Sequence, residues 1–475
     1  MLDSRYKLIV SLGVRGRGIN PPTPAAIFLG NQGSATKVIV APLTGVWYGN
    51  GMKIKDMAEA QAALEAYYGI TEKVMGKDIT VERMQRLMAY LGNPERQLKI
   101  IHVAGTSGKT STTYYIAGLL CASGYKVGHT VSPHVDSITE RVQLNGKSIS
   151  EKKFCKYLGE FLDLIESTPE TPTWFECLIA FAIWVFVQEK VDYAVLETGL
   201  GGLGDATNVA ERADKLCVIT DIGFDHMHVL GDKITSIAYQ KAGIIHSSNT
   251  ALMYTQDAEV MRVVRYWVSQ QEDADLLTFE QGRLAQVYGG KFAAGLPDYQ
   301  RRNWLLAFAA YLYLAKRDEL KVITVTEMQH TQTIQIPGRM DARRVGAKTI
   351  IMDGAHNEQK MAAFVKSFQL LQPGRKVPVL LALKQGKEVR DIAPLLSVIA
   401  SEIIVTTFSK AQDLPILSID PVAIVEALRA QGIHAVASSN QHKAYQQFLA
   451  AVDDVGIVTG SFFLISELRE HEKLV

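Results

Sequence analysis

The chain has 475 residues, of which 47% are apolar and 21% charged, and its net charge is +1. One hydrophobic core does not organise that length, so two or three domains are expected, and the balanced charge encodes no broad attraction to nucleic acid or membrane. The longest apolar run, residues 174–187, is interrupted by Glu176 and Cys177 and is shorter than the ~20 residues of a membrane span, so it reads as a core helix.

Residues 1–51 are rich in Gly, Pro, Asn and Ser, with two isolated strand-like runs at 26–29 and 38–42 and no helical period. They read as an N-terminal extension, with Met52 as an alternative start. Arg5 and Lys7 precede only a short apolar stretch, a poor secretory signal, so a cytoplasmic location is expected.

A helical pattern runs over 57–68 and a second over 81–91, ended by Gly92-Asn93-Pro94. Residues 98–103 form a buried strand, 105–109 a glycine-bearing loop, and 110–122 a helix stopped by Gly124: the first half of a βαβ unit. Asn145-Gly146 predicts a hairpin turn. Helices are predicted at 151–165 and 174–188, strands at 193–197 and 216–220, and helices at 233–242 and 301–316. Such alternation implies a mostly parallel sheet covered on both faces.

Ile336-Pro337-Gly338-Arg339 reads as a boundary. After it come strand 349–352, helix 359–371, strand 377–383, helix 389–399, strand 402–407, helix 421–430, strand 435–438, helix 442–451 and strand 455–458. That is a second, smaller α/β domain, so the expected division is 1–51, 52–337 and 338–475. Cys121, Cys155, Cys177 and Cys217 lie far apart without metal-ligand spacing and read as four buried small hydrophobes in a reducing compartment.

Gly105-Thr106-Ser107-Gly108-Lys109-Thr110-Ser111 sits where a phosphate loop belongs, between strand and helix. Lys109 can reach terminal phosphates and Thr110 can hold Mg²⁺. The spacing matches the generic loop only in part, because Val103 stands where that pattern has Gly; the plain alternative is an ordinary turn with an exposed lysine. Glu197 ends a buried strand at the edge where α/β proteins bind ligands, and suits a hard cation; its alternative is a solvated strand-end carboxylate. His226, after Asp225, is either a ligand near phosphate or polar surface. Lys241 at a helix end is explained by the helix dipole, the reading that its local sequence favours. Asp353-Gly354-Ala355-His356-Asn357 ends the first strand of the second domain and is either a ligand-facing or a plain Asp-Gly turn.

Together these segments resemble the Mur-ligase superfamily and, within it, the folylpolyglutamate/dihydrofolate synthases. The resemblance rests on eight stretches in family order: I-H-V-A-G-T-S-G-K-T-S-T, S-P-H-V-D-S-I-T-E-R-V-Q-L-N-G-K-S-I-S, L-E-T-G-L-G-G-L-G-D-A-T-N-V, I-T-D-I-G-F-D-H, L-G-D-K-I-T-S-I-A-Y-Q-K-A-G-I-I, I-P-G-R, M-D-G-A-H-N and V-T-G-S-F-F-L-I-S-E-L-R. It implies a P-loop central ATPase domain, a mostly parallel sheet with helices on both faces, and a smaller Rossmann-like C-terminal domain. It implies that Gly105, Thr106, Ser107, Gly108, Lys109, Thr110 and Ser111 bind ATP, with Asn303, Arg339 and Asp353 also at the nucleotide. Thr110, Ser132, Glu197 and His226 would ligate two Mg²⁺ ions. Lys109, His226 and Lys241 would serve catalysis, Lys241 as the lysine that carries a carbamate in many members, and His356 would meet the incoming amino acid.

The implied reaction adds L-glutamate to a folate or dihydropteroate carboxylate through an acyl phosphate, releasing ADP and phosphate; the implied enzyme works as a monomer on small molecules, without nucleic acid or membrane. Ser107 and Thr110 depart from the G-T-N-G-K-G-S usual in the folate branch and bring the loop nearer the cell-wall branch; Gly204 and the run 383–387 also depart. A ligase acting on another carboxylate, such as a cell-wall precursor, is therefore the second reading. The third is a non-catalytic binding protein, which Lys109, Glu197, His226, Lys241 and Asp353 oppose.

Overall fold

A computed structural model describes residues 53–68, 80–280, 295–409 and 417–473. The expectations for 1–51, including the two strand-like runs and the alternative start, lie outside the described residues. The chain builds two sheets, each covered by helices on both faces.

The first sheet has eight strands. Its elements are α1 (Met57–Glu65), α2 (Glu82–Tyr90), β1 (Lys99–Ala104), α3 (Lys109–Ala122), β2 (Val127–Thr130), β3 (Gln143–Leu144), β4 (Lys147–Ser148), α4 (Glu151–Ile165), α5 (Trp174–Gln188), β5 (Tyr193–Glu197), β6 (Leu216–Ile219), α6 (Met227–Leu230), α7 (Ile234–Ala242), β7 (Thr250–Tyr254), α8 (Ala258–Ser269), β8 (Asp275–Phe279), α9 (Asp298–Arg317) and α10 (Val325–Thr331). The order is β4-β3-β2-β5-β1-β6-β7-β8, parallel except for the small β3–β4 hairpin. Asn145 and Gly146 both take positive φ there, as an Asn-Gly hairpin turn requires.

Period-two alternation in β1 sorts its side chains between faces. Ile101 and Val103 pack with Tyr115, Trp304 and Tyr311 of α3 and α9. Ile100 faces the other way, into a core with Phe154, Phe161 and Phe181 of α4 and α5. Ala104 joins a third cluster under α7 and α8. The apolar run becomes α5, buried along nearly its whole length and started by a reciprocal cap between Thr173 and Glu176. Among the described residues no helix is long and apolar enough to cross a membrane.

The second sheet comprises β9 (Asp341–Val345), β10 (Lys348–Asp353), α11 (Glu358–Leu371), β11 (Val377–Leu381), α12 (Val389–Ile399), β12 (Ala400–Val405), α13 (Pro421–Arg429), β13 (Ala435–Ala437), α14 (Gln441–Ala451), β14 (Val455–Thr459) and α15 (Phe462–Lys473). Its order is β13-β12-β11-β14-β10-β9, with only β9 antiparallel. Ile351, Val379, Leu381 and Ile403 meet α11 and α12 on one face; Ile350, Met352, Leu380 and Ile404 meet α14 and α15 on the other.

The predicted elements occur with shifts of a few residues at their ends, and α4, α5 and α12 coincide with their predicted limits. The sequence reading missed β2, α6, β7, α8, β8, α10, β9 and α15. It also took all four cysteines as buried; Cys121 is partly exposed on the outer turn of α3, while the other three are buried.

Candidate functional site

The first sheet places three loops together. β1 is flanked by β5 on one side and β6 on the other, both parallel to it. The chain therefore leaves the C-terminal ends of these strands on either side of one crevice, the usual ligand position in such sheets. Gly105 follows β1, Glu197 ends β5, and Asp221 to His226 follow β6.

The glycine loop turns tightly into α3. A side chain at Gly105 would overlap Thr220, and one at Gly108, where φ is +88°, would overlap Asn303 Oδ1. Asn303, on α9, is thus pressed onto the loop. Thr112 is the first residue of α3 whose N–H reaches an i−4 carbonyl, that of Gly108, so the N–H groups of 108–111 form the open first turn. The expected cradle is narrower than the sequence suggests: the N–H groups of Thr106 and Ser107 both donate to Asp221 O, at 2.7 and 3.2 Å, and so brace the loop against the β6 turn. The Ser107 hydroxyl donates to Gln359 Oε1 of α11 at 2.8 Å. Ser111 is buried beneath the turn.

Gly108→Ala should be costly here. An alanine in left-handed backbone loses about 1–2 kcal/mol, and Asn303 must also move. Nucleotide affinity is expected to fall ~10-fold or more with the far-ultraviolet circular dichroism unchanged; parental affinity would remove this turn from the phosphate site.

Two lysines converge on the loop from different elements. Lys109 Nζ donates to Gly105 O at 3.0 Å, and Lys241 Nζ donates to the same oxygen at 2.8 Å. Lys241 lies in the last turn of α7, where the helix dipole favours a cation, but it is buried rather than at the surface. Burial, reinforced by Lys109, holds its pKa well below the usual lysine range. The glycine run after β5 makes this possible: Leu203 N donates to Gln240 O at 2.8 Å, and a side chain at Gly202 would lie 2.5 Å from that same oxygen. α7 thereby rests on bare backbone, and Lys241 enters the crevice.

Glu197 is 2% exposed, so the solvated strand-end reading fails. Its Oε1 accepts the Thr110 hydroxyl at 2.8 Å, and its Oε2 accepts Ser132 N at 3.0 Å. Burial pushes its carboxyl up, while Lys109 and these donors oppose the shift. Thr110, Ser132 and Glu197 are thus joined as one oxygen-rich group that suits a hard divalent cation. The ring of His226 is 43% exposed and lies 3.9 Å from Asp225 Oδ1; no hydrogen bond links it to the Glu197 group among those described.

Residues around the second sheet close the other wall. Arg339 donates from Nη2 to Thr110 Oγ1 at 3.2 Å, with its guanidinium 3.7 Å above the Phe462 ring. Asp353, 4% exposed, accepts the Tyr299 hydroxyl at 2.5 Å and Met340 N at 2.9 Å. His356 shares its Nδ1 with Gly354 O at 2.8 Å, and burial brings its pKa down to about 4. The sequence reading missed the largest ionic feature: Asp225 takes hydrogen bonds from Asn357, Lys360 and Lys387. Burial opposes ionisation of Asp225, but Lys360 and the neighbouring imidazoles outweigh it and hold the carboxyl well below its ordinary range. It also missed Arg302, which braces Asp221 with two hydrogen bonds. One local signal was available: Lys360 lies one helical turn after His356.

Residues 103–343 match the model of the Mur ligase middle domain, and residues 338–462 that of the Mur ligase glutamate ligase domain. The chain is 30% identical over 419 residues to a dihydrofolate synthetase of Saccharomyces cerevisiae, covering 83% of this chain and 98% of that protein. It is 29% identical over 416 residues to a dihydrofolate synthase/folylpolyglutamate synthase of Bacillus subtilis, covering 82% and 94%. A Mycobacterium tuberculosis folylpolyglutamate synthase complexed with ADP has the same fold, with TM-score 0.72, 25% identity, and 86% and 98% of the two chains covered. So does a Yersinia pestis bifunctional folylpolyglutamate synthase/dihydrofolate synthase complexed with AMPPNP and a Mn ion, with TM-score 0.72, 24% identity, and 90% and 100% covered.

Proposed function

This chain belongs to the Mur ligase superfamily and, within it, to the folylpolyglutamate/dihydrofolate synthase family, and from that membership we propose how its crevice ligates L-glutamate to a folate or dihydropteroate carboxylate. It is an ATP-dependent ligase that uses a nucleotide and a divalent metal. We take the metal to be Mg²⁺, two ions, held by Thr110, Ser132, Glu197 and His226. The observation that carries the reading is the convergence of a phosphate loop, two lysines and a buried carboxylate at one sheet switch point.

A carboxylate is a poor acylating agent, and phosphorylation by ATP converts it to an acyl phosphate with a good leaving group. Mg²⁺ neutralises charge on the transferring phosphoryl group. The open turn at 108–111 receives the phosphates, and Lys109, which lies 3.0 Å from Gly105 O, turns to the terminal one. Asn303 and Arg339 contact the nucleotide from α9 and the domain junction respectively, with Asp353 fixing the junction through Tyr299 and Met340. Lys241, with its depressed pKa, is disposed to be a neutral amine, the form that takes up CO₂ as a carbamate. The amine of glutamate, beside His356, then attacks the acyl carbon and phosphate leaves. Walls from both domains exclude water that would hydrolyse the intermediate.

We divide the chain at 337/338, with 52–337 as the central ATPase domain and 338–475 as the C-terminal domain, and place the enzyme in the cytoplasm as a monomer. The Gly108-Lys109-Thr110 run, with Thr where the folate branch usually has Gly, favours a second reading, ligation of a cell-wall type carboxylate. Phosphate release from Mg-ATP and L-glutamate should require dihydropteroate or tetrahydrofolate, supplied separately, and the product should gain one glutamyl unit in mass. Folded, ATP-binding protein that shows no pterin-dependent release would transfer the assignment to that second reading.

A further inference from the structure

α15 reaches the crevice at two points. Its first residue, Phe462, lies under the Arg339 guanidinium, 3.7 Å away, and Arg339 donates to the Thr110 hydroxyl. Two helical turns further on, Arg469 falls on the same face of the helix. Its Nη1 donates to Asp341 Oδ2 at 2.6 Å, and its Nη2 donates to Asp136 Oδ2. Arg469 is 4% exposed, so one enclosed guanidinium bridges two carboxylates that would otherwise repel across the seam.

Asp136 lies in the loop after β2 that also carries Ser132, and this loop is held from both sheets. At its start, Ser132 N donates to Glu197 Oε2 of the first sheet at 3.0 Å. Val135 does not join the cores of that sheet. It is buried with Met352, Phe462, Ile465 and Leu468, in a cluster whose other buried members lie within 350–468. The Glu140 carboxylate accepts the N–H groups of Val135 and Ser137, both at 3.0 Å, and so braces the backbone on either side of Asp136. An ion pair that only filled the seam would end on a side chain free to turn. This one ends on a backbone fixed at Ser132, Val135 and Ser137, so a shift of α15 reaches Ser132.

We propose that α15 positions the group formed by Thr110, Ser132 and Glu197, and that Arg469 is a positioning residue which sets the Ser132 loop through Asp136. The inference deepens the reading of that group as the seat of a divalent cation and rests on it. Arg469 touches none of the three. It acts by fixing where one of them stands, and partners of this kind change metal affinity by ~10-fold or more when lost.

The test is calorimetry of Mn²⁺ binding to the full chain with ADP present. It compares the parent with Asp136→Ala, Arg469→Gln, Arg469→Lys, the double variant Asp136→Ala/Arg469→Gln, and Glu197→Gln as the control. Mn²⁺ affinity should fall ~10-fold in Asp136→Ala and in Arg469→Gln. It should fall less in Arg469→Lys, which keeps the charge without the forked geometry. The double variant should bind no more weakly than the weaker single variant, because both residues act through one contact. In turnover, the Mg²⁺ concentration for half-maximal phosphate release should rise by the same factor, with a much smaller change in the KM for L-glutamate. The Asp136 side chain is 25% exposed, so Asp136→Ala should fold, and it decides the matter alone if Arg469→Gln does not. Parental Mn²⁺ affinity in Asp136→Ala, whatever its melting temperature, would overturn the proposal, and so would additive losses in the double variant. Equal Mn²⁺ binding by the parent and Glu197→Gln would instead overturn the metal reading on which it stands.

Discussion

Lys109→Ala is expected to abolish ligation, lowering kcat by ~10³-fold or more, the scale associated with a cation at a transferring phosphoryl group. Lys109 is the first residue of α3, and its ammonium folds back onto Gly105 O, 3.0 Å away, next to Lys241. The alanine is a good helix former at the start of a 14-residue helix, so the fold should be retained. Phosphate release with saturating ATP, glutamate and pterin reads the loss directly. Near-parental turnover would refute the phosphate-loop assignment.

Glu197→Gln should remove most of the dependence on divalent metal while sparing the fold. The amide keeps a carbonyl oxygen for the Thr110 hydroxyl but loses the charge that a hard cation requires. Stability gives an independent reading. Burial raises the Glu197 pKa, so the folded state binds its proton more tightly than the unfolded state, and the carboxylate costs stability as pH rises through and above the carboxylate range. Glutamine carries no charge to bury but sets an N–H donor against Ser132 N, so the variant without metal should melt close to the parent at neutral pH. Added Mg²⁺ should raise the parent's melting temperature and leave the variant's nearly unmoved. An unchanged Mg²⁺ titration of activity would remove Glu197 from the metal site.

Local signals carried much of the architecture. α4, α5 and α12 were readable because a long amphipathic or buried apolar run, bounded by a cap or a breaker, points to one structure. The missed strands β2, β7 and β9 are only four or five residues long, and β9 is mostly charged (Asp341, Arg343 and Arg344) at a sheet edge, where no continuous apolar run marks it. The candidate residues Lys109, Thr110 and Glu197 were legible for a similar reason: each sits at a strand end or loop that its own neighbours specify. Lys241 was still misjudged locally, since nothing within α7 indicates that Gly202 lets the helix settle and bury it.

By itself the sequence determined the alternation of strands and helices, the glycine-bearing loop between β1 and α3, and the family, because each is written in contiguous residues and their periodicity. Only the tertiary structure decided which charges meet. Asp225 is bound by Lys360 and Lys387, 135 and 162 residues further along the chain. Likewise Arg339 reaches Thr110 across 229 residues. A lysine's charge fits any solvated surface equally well, and its partner is chosen when two separately built sheets pack their loop ends together and take those charges out of water.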